Sequence, residues 1–187
     1  SVGRSASRFD FVKLTQLNGH YLRQAEDGRL AALLVPMLET RLGRALTTVE
    51  SARILTGMTG LKDRAKTMVE LADSALFYVL ARPLAQDEKA ARTMADPAAR
   101  ADLAEYAALV GALGEWSRQS LEDTARAFAE ARGQKLGKVA QPLRAALAGS
   151  SVSPPIFEVM EVLGREESLG RILDATGQTP PSDSTAA

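Results

Sequence analysis

The stretch "GKVAQPLRAALAGSSVSPPIFEVM", residues 137–160, sets an arginine and a run of serines among prolines. Pro142 suits the first turn of a helix, where its missing N–H is unused and its fixed φ already fits. It also biases Gln141 away from the α region, so a helix is predicted to begin near "PLRAALAG" and to end at Gly149. Pro155 marks a second start, with Ser153 near its cap. Two helix N-termini joined by "SSVSP" would turn unpaired N–H groups and positive dipole ends toward an anion or another acceptor. Arg144 sharpens the point. A cation in the first turn opposes the dipole by a few tenths to about 1 kcal/mol, which hints at an external acceptor. From 126 to 144, Arg126, Arg132, Lys135, Lys138 and Arg144 face only Glu130, a local basic stretch consistent with contact to a polyanion. A solvated loop with an ordinary surface arginine reads the same way, and these residues alone leave both open.

Composition removes other chemistries. Lys+Arg and Asp+Glu balance at 23 each over 187 residues, so a nucleic-acid surface must be local or must read bases more than it gathers phosphates. There is no cysteine, hence no disulfide framework or thiolate site, and the single histidine, His20, argues against a metal centre or a serine triad. His20 is expected on a helix surface or in packing. Glu50, Glu70 and Asp73 lack a spacing that suggests acid–base work, so no catalytic or metal-ligating residue is assigned. No apolar run reaches the ~20 residues of a membrane span, and the start lacks the apolar core of a secretory signal. A soluble cytoplasmic protein is the expectation, and the N-terminus reads as a cut inside a longer chain.

Helical spacing runs almost throughout, so the expected class is all-α, with no convincing period-two alternation. "FDFVKLTQLNGHYL" is a predicted helix over Phe9–Leu22. In "RLAALLVPMLETRL", Pro36 should kink or split the helix. Thr47 or Thr48 should cap the next one. Leu61, Ala65, Met68, Leu71, Ala72, Ala75 and Val79 make one apolar stripe. The charged run 85–100, interrupted by Pro97, has little to bury and suggests a subdomain boundary. Further on, Ser120 is the expected N-cap with Asp123 at the capping-box position, and Gly133 is the expected C′ residue. Tyr106 and Trp116 read as core. The last helix should run from about Pro155 to Thr176, softened by Gly164 and Gly170, ahead of a mobile tail.

At these residues the sequence closely resembles the C-terminal anticodon-binding region of bacterial glutamyl-tRNA synthetases, which are class I aminoacyl-tRNA synthetases. The resemblance rests on "KLGKVAQPLRAALAGSSVSPPIFEVMEVLGREESLGRI", on "FDFVKLTQLNGHYLR" and on "RAKTMVELADSALFY", in the family's order from about Arg8 to Arg171. Gln16 departs from the tryptophan many members carry. The HIGH and KMSKS signatures of the family's nucleotide-binding half are not in this sequence, so the chain alone is not expected to bind ATP or charge tRNA.

The resemblance implies two consecutive helical subdomains of helix-bundle or α-cage type. It places the end of a stem-contact region at 1–24, a first anticodon-binding subdomain at 25–95, a second at 96–176 and the tail at 177–187. It matches Arg64 to an arginine that reads the third anticodon base; the residues alone also allow a surface neighbour of Glu70 or an ion pair with Asp63. Gln141, Pro142 and Arg144 match positions at the first and second bases. Ser153, Pro154, Ile156 and Phe157 match the loop and apolar wall against which splayed bases lie. Arg126, Lys135 and Lys138 are candidates for phosphate contacts. The implied partners are the anticodon loop of glutamate tRNA and the catalytic domain of the parent enzyme. ATP and magnesium belong to that domain, and no cofactor to this chain, which is expected to be a monomer without membrane contact. The alternative is a freestanding helical protein-interaction module that kept the fold and lost the tRNA.

Overall fold

The computed structural model describes residues 19–177. Most of the predicted Phe9–Leu22 helix, the "FDFVKLTQLN" resemblance and nearly all of the expected tail lie outside the described residues. Within them every regular element is helical. The chain divides into two compact units, 1–79 and 80–187, with the division ahead of the charged run 85–100. No helix among the described residues is long and apolar enough to cross a membrane.

The first unit contains α1 (Gly19–Gln24), α2 (Asp27–Leu42), α3 (Thr48–Lys62), α4 (Met68–Ala75) and a 3₁₀ turn, Leu76–Val79. Pro36 neither splits nor ends α2. Pro36 and Ala32, whose carbonyl the missing N–H would have met, both lie on the exposed side, so water can satisfy that carbonyl. Leu30, Leu34 and Leu38 carry the buried stripe on the opposite side. Gly57 has a packing reason to be glycine inside α3: a Cβ there would sit 3.0 Å from the Tyr78 ring. The apolar stripe from Leu61 to Val79 is buried throughout. Its backbone, however, is not one helix. α3 stops at Lys62, and Thr67 starts α4 by accepting the Glu70 N–H at 3.1 Å.

Thr47 caps α3 with a reciprocal box: its hydroxyl accepts from Glu50 N–H, and the Glu50 carboxylate accepts from Thr47 N–H at 2.9 Å. Arg44 grips the same carboxylate through two 2.8 Å bonds and reaches the Val79 carbonyl at 3.0 Å. The Arg44 guanidinium is the main reason the Glu50 carboxyl falls from its ordinary 4.5 to about 2, against the opposing effect of burial. The folded value lies below the unfolded one, so this stabilisation is present above about pH 4.5 and is lost as pH falls toward 2. Glu50→Gln is expected to lower stability by about 1–2 kcal/mol at pH 7. Denaturation midpoints of variant and wild type should converge as pH drops through that window; parallel pH curves would contradict the assignment.

The second unit contains α5 (Glu88–Ala95), α6 (Pro97–Gly111), α7 (Arg118–Ala131), α8 (Gly137–Ala148), α9 (Ile156–Leu163) and α10 (Arg165–Thr176). Asp87 and Asp96 cap α5 and α6, and Pro97 takes the first helical position of α6. The charged run therefore folds, with Ala90 and Met94 buried. The N-cap of α7 is Ser117, not the expected Ser120. Ser120 is the third helical residue and reaches back to Ser117 N–H at 3.1 Å, so the box is serine on serine. Gly133 ends α7 as expected, at φ 62°. The Gly133 and Gln134 N–H groups bond to the Glu130 and Ala129 carbonyls, the Schellman pattern.

The expected single helix over Pro155–Thr176 is two helices. Gly164, at φ 83° and ψ 169°, takes a conformation closed to other residues and turns the chain between α9 and α10. Helix α8 lies at the centre, packed against α5, α6, α7, α9 and α10. Tyr106 is in the core as expected, whereas Trp116 is half-buried in the linker between α6 and α7. The Tyr106 hydroxyl donates to the Leu121 carbonyl at 3.0 Å, and the Trp116 ring N–H to the Met160 carbonyl at 2.9 Å.

Candidate nucleic-acid interface

Helix α8 starts before Pro142, which lies inside it. Its first turn closes without the proline: Lys138 N–H bonds to the Lys135 carbonyl, and Val139 and Ala140 N–H to that of Leu136, each at 3.0 Å. The ring of Pro142 is buried, and the proline offers no N–H to the Lys138 carbonyl. Two expectations change with this. Arg144 is well beyond the first turn, where the dipole acts, so its position carries no electrostatic penalty. The serine loop joins the end of α8 to the start of α9, so it brings one helix N-terminus to the site instead of two.

Gly149 closes α8 at φ 66°, its N–H on the Ala145 carbonyl at 3.0 Å. The linker before α5 crosses here, with Asp87 N–H bonded to the Gly149 carbonyl at 2.8 Å. Beyond it, the Ser150 hydroxyl accepts from Val152 N–H at 3.1 Å. Ser153 does not cap α9, whose N-cap is Pro155 without a side-chain bond. The Ser153 hydroxyl instead accepts from Arg144 Nε at 3.2 Å and donates to the Pro154 carbonyl at 2.7 Å. Arg144 and Ser153 are thus brought together. Ser153, Pro154, Ile156 and Phe157 are buried, so the two apolar side chains serve the core more than an open wall. Gln141 is exposed and borders a groove of about 480 Å³ with Lys138, Pro142 and Gln134.

Arg64 lies in the first unit, in the turn between α3 and α4, and is exposed. Arg64 and Glu70 are both exposed surface residues. The Glu70 carboxylate accepts from Lys66 N–H at 2.8 Å, and no ion pair joins Arg64 to Asp63 or Glu70 among the described residues.

The family model for the anticodon binding domain matches residues 29–176, which covers most of both units. The chain belongs to the anticodon binding domain family. It is 74% identical over its full length to glutamate–tRNA ligase 2 of Paramagnetospirillum magneticum, and spans 39% of that protein. It is 61% identical over 174 residues to glutamate–tRNA ligase 2 of Rhodospirillum centenum, covering 93% of this chain and 37% of that one. A crystal structure of a glutamate tRNA ligase from Elizabethkingia meningosepticum shares the fold. Its TM-score is 0.71 at 24% identity, covering 86% of this chain and 31% of that one.

In this anticodon-binding domain the basic stretch is less open than its sequence suggests. Arg126 pairs with Glu122 at 3.0 Å. Arg132 pairs with Asp102 at 2.9 Å and with Glu105, and its guanidinium lies 4.2 Å from the centre of the Phe128 ring. Lys135 and Lys138 are exposed. An exposed pair such as Arg126–Glu122 contributes little to stability. Sequence reasoning passed over Val152, which is 68% exposed on the serine loop. The signal was its place as an isolated apolar residue among serines and prolines that contribute nothing to helix periodicity. It offers exposed apolar surface next to Ser153 in the chain.

Proposed function

We propose that this chain is the anticodon-reading part of a glutamate–tRNA ligase. The family match over residues 29–176 carries the reading, and the relatives named as glutamate–tRNA ligases support glutamate tRNA as the partner. Unstacked anticodon bases meet Gln141 and Arg144 through hydrogen bonds at their edges, with apolar contact from the loop that Pro154, Ile156 and Phe157 anchor. Lys135, Lys138 and Arg126 meet phosphates, which position the RNA without specifying its sequence. Attachment of glutamate, with ATP and magnesium, belongs to the catalytic part of the ligase. The exposed setting of Arg64, in no ion pair with another described residue, supports its role at the third base.

Arg64 gives the test. Binding of glutamate tRNA and of a transcript altered at the third anticodon base is measured by fluorescence titration. Wild type is expected to prefer the former by about tenfold, the scale of one lost pair of hydrogen bonds to a base. Arg64→Gln should remove that preference and leave the salt slope nearly unchanged. Retained preference in the variant would take the third-base role away from Arg64.

A further inference from the structure

We propose that Ser153 is a positioning residue: it sets the direction of the Arg144 guanidinium and does not itself touch RNA. The inference rests on the base-reading role given above to Arg144.

A serine hydroxyl has one hydrogen to donate and lone pairs to accept with. In Ser153 the hydrogen goes to the Pro154 carbonyl at 2.7 Å, which stops the hydroxyl rotor and turns the lone pairs elsewhere. Arg144 Nε donates to that oxygen at 3.2 Å. The residue is only 5% exposed, one of very few buried polar side chains among the described residues. A base edge would have to break one of these bonds and open the loop to reach it. The chain supports the arrangement from both sides. Gly149 is held by the linker crossing at Asp87, and Pro154 is itself buried. Arg144 therefore receives a fixed acceptor from a loop nine residues further along the chain.

Fixing Nε matters because arginine is a long side chain whose donors lie in one rigid plane. Once Nε is held, rotation about the last side-chain bonds is restricted and the terminal nitrogens take a defined direction. Base discrimination depends on that direction, since the difference between bases is the placement of donors and acceptors along an edge. Ser153 thus contributes to choice among bases more than to the overall hold on RNA.

The test uses Ser153→Ala, Ser153→Thr, Arg144→Ala and the double variant Ser153→Ala/Arg144→Ala. Each is titrated with glutamate tRNA and with transcripts altered at the first or second anticodon base. Ser153→Ala is expected to lose about tenfold in preference for the cognate RNA while its affinity for altered RNA stays near wild type. Ser153→Thr keeps the hydroxyl and should keep the preference. The double variant should match Arg144→Ala alone. If the two losses add, or if Ser153→Ala discriminates like wild type while Arg144→Ala does not, the positioning role is overturned and base reading by Arg144 stands. If Arg144→Ala itself discriminates like wild type, the base-reading role of Arg144 fails, and this inference with it. An RNA-free arm reads the hydrogen bond directly. Solvent exchange of the Arg144 Nε–H, followed by NMR, should accelerate in Ser153→Ala but not in Ser153→Thr, and unchanged exchange in both would refute the contact.

Discussion

Replacing Arg171 with methionine is expected to destabilise the chain by about 3–5 kcal/mol, read from the shift in denaturant midpoint. Arg171 is 1% exposed, and its guanidinium donates to acceptors on more than one element. Nε donates to Glu167 at 2.9 Å, Nη1 to the Leu147 carbonyl at 2.7 Å and Nη2 to the Leu80 carbonyl at 3.5 Å. One side chain on α10 therefore holds the end of α8 and the start of the linker before α5. Methionine fills the space of the aliphatic stem but leaves a carboxylate and two carbonyls without their donor. The companion variant Arg171→Met/Glu167→Gln removes the uncompensated charge and should recover part of the loss. A loss below about 1 kcal/mol for Arg171→Met would show that water replaces these bonds at little cost.

Gly149→Ala is the second large effect, expected at about 3 kcal/mol. Its φ of 66° alone costs a residue with a Cβ about 1–2 kcal/mol. Here a Cβ would also lie 2.3 Å from the Ala85 carbonyl oxygen, a backbone atom that cannot swing aside. The linker must move, and the bond from Asp87 N–H to the Gly149 carbonyl is lost with it. Gly133 is the control. It has nearly the same φ, 62°, with nothing within 4 Å of its Cβ position, so Gly133→Ala should carry the conformational part alone. Equal midpoint shifts for the two variants would mean that the close approach to Ala85 contributes nothing.

What could be read from sequence was what local rules decide. The Thr47 cap, the Gly133 terminus and the burial of the stripe from Leu61 to Val79 follow from residues within a few positions of each other. Pro142 was misplaced because proline at a helix start is the commoner case. Its interior position depends on a first turn that closes by itself over residues 135–140. The displaced cap of α7 has a similar cause: Ser117 and Ser120 are both good caps, and their mutual bonding decides which one begins the helix. Gly164 reads as a mild weakness until its φ shows that it ends one helix and starts another.

The sequence names candidate site residues but not their geometry. Arg132 looked like part of an open basic stretch, but its acids sit on α6, 27 and 30 residues away. Nothing local signals that pairing. The link from Arg144 to Ser153 likewise joins a helix to a loop nine residues on, at a spacing that matches no helical or strand period. Arg144 drew attention as a cation at a helix start, a premise the position of α8 removes. Its significance now rests on the acceptor that holds it and on the family pattern around it.

The central claim is that this chain reads anticodon bases in addition to holding phosphates. It is tested most directly by titrating the wild-type chain with glutamate tRNA and with a transcript altered at all three anticodon positions, across a range of salt concentrations. Phosphate contacts set the salt slope and base contacts set the offset between the two lines. The account predicts parallel lines, with the altered tRNA bound at least about tenfold more weakly at every salt concentration. Superimposed lines would mean that the chain holds RNA by its backbone alone and would contradict the account.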